Sequence, residues 1–126
     1  MKNAITWFDL PILDFERAVK FDSEILGEKI KVDDSMGAKM GFFPMDDMEN
    51  MEGVGGDIVL PRPDFKPSDQ GTHVYLNCTG KLDTVLSRVE KAGGKIVKAK
   101  FDIGSPGWIA MIKDTEGNVI GLHSPK

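Results

Sequence analysis

Leu26-Gly27-Glu28-Lys29-Ile30-Lys31-Val32 has a second version later in the chain, Ala92-Gly93-Gly94-Lys95-Ile96-Val97-Lys98. Each copy follows apolar residues at helical spacing and opens a stretch that alternates, so each reads as a helix exit leading into a strand. Upstream of the first copy, Phe15, Ala18, Val19, Asp22, Ile25 and Leu26 fall on one helical stripe, all apolar but Asp22. Asp14 supplies a side-chain oxygen to cap that helix. Upstream of the second copy, Leu82, Val85, Leu86, Val89 and Ala92 make the equivalent stripe. A strand precedes each helix: Ala4 to Leu10, stopped by Pro11, and Thr72 to Cys78. Three strands follow each helix. In the first half they are Glu28 to Val32, Ala38 to Phe43 and Asp57 to Leu60, the last led in by Gly55-Gly56. In the second half they are Lys95 to Ile103, Trp108 to Lys113 and Asn118 to His123, with a turn at Asp114-Thr115-Glu116-Gly117.

The predicted order is therefore β-α-β-β-β twice, an α+β fold of two βαβββ modules. Residues 1–60 form the first module and 71–126 the second. Between them, 61–70 holds three prolines and reads as a linker. A helix covers one face of each four-stranded sheet, and two such sheets can curve their open faces into a shared trough suited to a small molecule.

Bulk properties narrow the partners. The chain has 126 residues and a net charge of -4, with its Lys and Arg scattered, which disfavours nucleic acid. No stretch reaches the roughly 20 apolar residues of a membrane span. The N-terminal residues lack the long apolar run of a secretory signal, so a cytoplasmic location is expected. Cys78 is the single cysteine and is expected to be inert packing on the helix side of its strand.

Several stretches resemble the vicinal-oxygen-chelate superfamily, the glyoxalase, bleomycin-resistance and dioxygenase-like proteins. Trp7 to Phe21 followed by Ile25-Leu26-Gly27 looks like the family's opening strand and helix. Gly71-Thr72-His73-Val74-Tyr75-Leu76-Asn77 resembles its fifth strand, and Asp114 to Leu122 its closing hairpin. Asp22 departs from the pattern, where the family often has an aromatic. The resemblance implies a divalent metal between paired sheets in the catalytic members, antibiotic sequestration in others, and frequent homodimers.

It also implies four ligand positions, on the first, fourth, fifth and eighth strands. The first, fifth and eighth fall on Trp7, His73 and Gly121; for the fourth, aligning the internal repeat with Pro63 against Pro125 sets Val59 opposite Gly121, with Asp57 two residues earlier. Indole has no lone pair for a cation, and Gly121 offers no side chain, so only His73 is a competent ligand there. A catalytic metal needs about three protein ligands. No metal is therefore expected. The alternative is a displaced site for Ni, Zn, Mn or Fe built from His73, His123 and Asp57. Strand alternation puts Trp7, Asp9, Asp57, His73, Tyr75, Asn77 and His123 on the trough side. The ligand-binding residues expected are Trp7, His73, Tyr75, Asn77, Trp108 and His123, with His73 the candidate for any acid–base chemistry. Met48 and Met51, in the acidic stretch 46–52, are candidates for a lid or a subunit contact.

The leading expectation is a family member that binds and sequesters a small molecule. The alternatives are a metal-dependent lyase, isomerase or dioxygenase with a rearranged site, and a regulatory module acting through its surface.

Overall fold

The computed structural model describes residues 3–35, 37–47, 49–50 and 52–126. The elements run β1 (Trp7–Pro11), α1 (Phe15–Leu26), β2 (Lys31–Asp33), β3 (Met40–Phe42), β4 (Gly55–Val59), β5 (Tyr75–Asn77), α2 (Leu82–Val89), β6 (Lys95–Asp102), β7 (Trp108–Lys113) and β8 (Val119–Ser124). They make two four-stranded sheets, ordered β1-β4-β3-β2 and β5-β8-β7-β6. Each begins with a parallel pair, β1 with β4 and β5 with β8, and continues antiparallel. The repeat read from the sequence is thus a repeat of topology, and the α+β expectation holds.

Several boundaries differ from the sequence reading. β1 starts at Trp7 and includes Pro11, which sits in an edge strand where its missing N–H costs no ladder bond. Gly55 and Gly56 do not merely lead into β4; they are its first two residues. β5 is three residues long, so Thr72 and His73 precede it rather than belong to it. α2 ends at Val89, short of Ala92. Met48 and Met51 lie outside the described residues, and their expected lid or subunit role with them.

α1 behaves as its sequence dictates. The Asp14 side chain accepts the Arg17 N–H, and Gly27 closes the helix in the left-handed region at φ 70°. Its stripe joins the stripe of α2 and the inner faces of both sheets in one core. Phe21, Ile25, Ile30, Ile58, Val85, Val89, Ile112, Ile120 and Leu122 are almost wholly enclosed there. Each such side chain contributes roughly 1.5–3 kcal/mol of burial free energy. Asp22 also lies in this core, 1% exposed, with Oδ1 unpartnered among the described residues. Burial, then the nearby Asp114 and Glu116, push its carboxyl well above the ordinary value.

The two sheet units are tied at both ends of α1. Glu116, in the β7–β8 turn, accepts the backbone N–H groups of Leu13 and Asp14 and pairs with Arg17. Asn118 donates to the Pro11 carbonyl at 2.7 Å. At the other end, Lys81 and Arg88 donate to the carbonyls of Leu26 and Ile25. Among the described residues, no helix is long and apolar enough to cross a membrane.

Candidate functional site

The cavity of interest opens where β1 and β4 approach β5. Its volume is about 710 Å³, the size of a drug-like ligand site. Trp7, Phe8, Phe43 and Val54 line one wall, and His73, Tyr75, Leu76 and Asn77 the other. Lys81 and Glu28, paired at 3.1 Å, also face it.

Three aromatic rings are laid down by three glycines. A Cβ added at Gly55 would lie 2.8 Å from the Trp7 ring. One at Gly56 would lie 2.1 Å from the Phe8 ring, and one at Gly121 2.3 Å from the Tyr75 ring. Trp7 pairs in register with Gly55, Phe8 with Gly56 and Tyr75 with Gly121, so each ring rests on its own strand neighbour. Glycine within a strand marks such a close approach. The sequence carries this signal as Gly55-Gly56, although the local pattern there reads as a lead-in to the strand. Phe8, Phe43, Glu28 and Lys81 are not expected at the site from sequence. Alternation assigns Phe8 to the helix side, yet at the open edge of the sheet it reaches the cavity as well.

Trp7 also meets Phe42 edge-on, with ring centroids 6.0 Å apart, and donates its indole N–H to Asp57 Oδ2 at 3.1 Å. Asp57 is fully enclosed, and its Oδ1 has no hydrogen-bond partner among the described residues. Asp9 stands beside it, exposed, as its register partner on β1. Burial, then the neighbouring Asp9, lift the Asp57 carboxyl to about 7, against the opposing pull of the Trp7 hydrogen bond.

Of the predicted ligand-binding residues, Trp7, His73, Tyr75 and Asn77 line this cavity together. His73 and Tyr75 are exposed. The Asn77 carbonyl oxygen accepts from the Thr79 backbone N–H and hydroxyl, which leaves its NH₂ group as the part available to a ligand. Trp108 and His123 lie elsewhere. Trp108 lines a separate hollow of about 300 Å³ with Leu82 and Ser124, and Lys100 and Lys126 lie against its ring at 4.6 and 4.4 Å. His123 Nε2 is 2.7 Å from the Pro106 carbonyl, which can only accept, so Nε2 carries the proton.

The metal question turns on which residues stand at equivalent positions. Ile12 N–H donates to the Val59 carbonyl as Cys78 N–H donates to that of His123. By that bonding Val59 matches His123, and the counterpart of Gly121 is Asp57, not Val59 as the sequence alignment has it. Two of the four positions, Asp57 and His73, therefore hold side chains able to bind a cation. The other two hold Trp7, whose N–H already occupies Asp57 Oδ2, and Gly121, roofed by Tyr75. This donor set does not fit a divalent ion that needs about three protein ligands. Among the described residues, no three His, Cys, Asp or Glu side chains converge, so the triad of His73, His123 and Asp57 is not assembled.

Two sheets, each built as βαβββ, with a cavity between them, make a fold shared with solved glyoxalase/bleomycin resistance proteins. Comparison with known proteins agrees. A glyoxalase/bleomycin resistance protein from Albidiferax ferrireducens T118 superposes with a TM-score of 0.76 at 16% identity, covering 97% of this chain and 99% of that one. TnmS3, an antibiotic binding protein from Streptomyces sp. CB03234, gives 0.71 at 21% identity, covering 100% and 99%. The fosfomycin resistance protein FosX from Listeria monocytogenes, as a point mutant complexed with Mn(II) and a dihydroxypropylphosphonic acid, gives 0.63 at 17%, covering 100% and 93%. In sequence, the chain is 28% identical over 118 residues to "Putative glyoxylase CFP32" of Mycobacterium bovis and Mycobacterium tuberculosis. That match takes in 92% of this chain and 43% of CFP32, so the chain spans less than half the length of these relatives. No family model matches the chain.

Proposed function

We propose that the protein binds and sequesters a small planar molecule without a metal, holding it in the cavity between Trp7 and Tyr75. The observation that carries this reading is the cavity itself, walled by aromatic rings that glycines keep flat against the sheets. Flat apolar surface favours a planar ligand, and His73 with the Asn77 amide supplies the few polar contacts that fix orientation. The likeness to TnmS3, an antibiotic binding protein, points the same way. A homodimer in the cytoplasm, with modules at 1–60 and 71–126, completes the proposal.

The test is a calorimetric titration of metal-stripped protein with 1-naphthylmethanol, beside Trp7→Ala and Tyr75→Ala. Binding that survives metal removal and is lost in both variants supports the reading.

A second reading, a metal-dependent lyase, isomerase or dioxygenase, draws on Asp57 and His73 and on the likeness to FosX with Mn(II). It requires Trp7 to swing off Asp57. Stoichiometric Ni, Zn, Mn or Fe that is retained by the protein and lost in His73→Ala would favour it over sequestration.

A further inference from the structure

We propose that the free edge of β5 pairs with the backbone of a short extended peptide, so that the molecule bound in the cavity carries its planar group on peptide bonds. This rests on the sequestration reading and specifies its ligand.

The lining of the cavity shows which side of β5 it meets. Successive strand residues point to opposite faces, so a cavity lying on a face takes every second residue. This one takes every residue from 72 to 77, and both Trp7 and Phe8, so it meets the strands at their edges. The pairing of β5 with β8 then fixes which backbone groups stand there. Gly121 N–H donates to the Val74 carbonyl and Cys78 N–H to that of His123, and Leu76 bonds β8 between them. Tyr75 and Asn77 therefore turn their N–H and C=O groups away from β8, and β5 is the outer strand of its sheet, so among the described residues no further strand meets them. On β1 the same parity, set by the Ile12 N–H on the Val59 carbonyl, turns Trp7 and Pro11 outward. The Pro11 carbonyl is taken by Asn118, while Trp7 stands at the cavity.

Free strand edges invite pairing and are normally guarded by charge, proline or bulges. Of the four outer strands, β6 carries Lys95, Lys98 and Lys100 with shifts in register, β2 carries Lys31 and Asp33, and β1 carries Asp9 and Pro11. β5, Tyr75-Leu76-Asn77, carries none of these and opens on the cavity. Pairing at an edge supplies affinity through backbone hydrogen bonds, while side-chain pockets read alternate residues of the ligand. Trp7, Phe8 and Phe43 make the pocket for an aromatic side chain. Lys81 and Glu28 at the cavity neutralise each other at 3.1 Å, so a ligand without charged ends suits it. The outward backbone groups of Tyr75 and Asn77 lie about 7 Å apart along the strand, a spacing that a peptide of three or four residues spans.

The experiment titrates metal-stripped protein with acetyl-Val-Phe-Val-Thr-amide and, separately, with 1-naphthylmethanol, and follows backbone amide hydrogen exchange by NMR. At saturation the peptide should slow exchange of the Tyr75 and Asn77 N–H groups at least about tenfold, as the net free energy of one backbone hydrogen bond warrants, and the alcohol should not. Two further forms of the peptide, N-methylated at both valines or at Phe and Thr, separate edge pairing from apolar contact. Only alternate amides of a paired strand face β5, so at least one of these forms should bind about tenfold more weakly than the parent. Binding of the alcohol without the peptide, or equal affinity of all three peptides, overturns the edge site and leaves the cavity reading standing. Binding of neither probe overturns both. Protection of Tyr75 and Asn77 in ligand-free protein that rises with protein concentration gives the edge to a second copy and overturns the proposal.

Discussion

Arg17 Nε and Glu116 Oε2 lie 2.7 Å apart, joining the first turn of α1 to the turn between β7 and β8. The other oxygen of the same carboxylate accepts the Leu13 and Asp14 backbone N–H groups at 2.8 and 2.7 Å. One side chain, 1% exposed, thus caps a helix that begins about a hundred residues earlier in the chain. Glu116→Ala strands these donors and should cost about 3 kcal/mol, read as a fall in urea midpoint without a change in slope. A loss under about 0.5 kcal/mol would mean that water replaces the cap.

The same carboxyl gives an acid limb to the stability curve. Burial opposes its ionisation, but Arg17, the two backbone donors and Thr115 outweigh burial and hold it at about 2, against an ordinary 4.5. The folded state thus binds the proton more weakly than the unfolded chain does. The stabilisation is complete above about 4.5 and drains away as pH falls toward 2. Thermal melts of wild type and Glu116→Gln should converge across that window.

Asp57 should give a slope of the opposite sign. Its folded value, about 7, lies above the ordinary 3.8, so folding takes up a proton between the two. Its contribution falls as pH rises from about 4 to 7 and levels off beyond. Asp57→Asn keeps an acceptor for the Trp7 N–H and cannot ionise. Its melting temperature relative to wild type should climb from pH 5 to pH 8; a constant difference would place the carboxyl at an ordinary value.

The glycines under the rings should respond unequally. Phe8, resting on Gly56, is tilted against Phe43 at 5.5 Å between centroids and has little room to move. Gly56→Ala should therefore cost about 2 kcal/mol by overpacking. Tyr75, resting on Gly121, is 48% exposed and can swing outward. Gly121→Ala should cost less than about 1 kcal/mol in stability yet reshape the cavity, lowering affinity for a planar probe. Equal losses from the two substitutions would contradict the difference in confinement.

Cys78 is fully enclosed, and burial pushes its thiol up to about 11, although the nearby Lys81 works against this. It should not react with a disulfide reagent in native protein at neutral pH and should react fully once the chain is unfolded. Rapid native labelling would show that the α2 side opens.

The fold was legible because both helices carry clean stripes and both strand sets carry turn signals in the same order. Alternation along residues 73–78 also placed Leu76 and Cys78 inward and Tyr75 and Asn77 outward, as observed. The site was less legible because it depends on registry between strands far apart in sequence. Nothing local to Trp7 says that its N–H meets Asp57, fifty residues on. The choice between Val59 and Asp57 as the counterpart of Gly121 hung on a two-residue offset that aligned prolines misjudged and a backbone hydrogen bond resolves. Trp108 and His123 have the right chemistry for a ligand site, but the strand order carries one to another hollow and ties the other to Pro106.

α1 has no basic residue in its own last turn and borrows Lys81 and Arg88 for its final carbonyls, as it borrows Glu116 for its first N–H groups. A sequence that looks like two interchangeable copies is therefore not divisible. A chain nicked within 61–70 should remain assembled as a complementing pair of fragments, whereas the leading fragment alone would lose its helix from both ends. The two halves share one architecture, yet each serves as a structural ligand of the other.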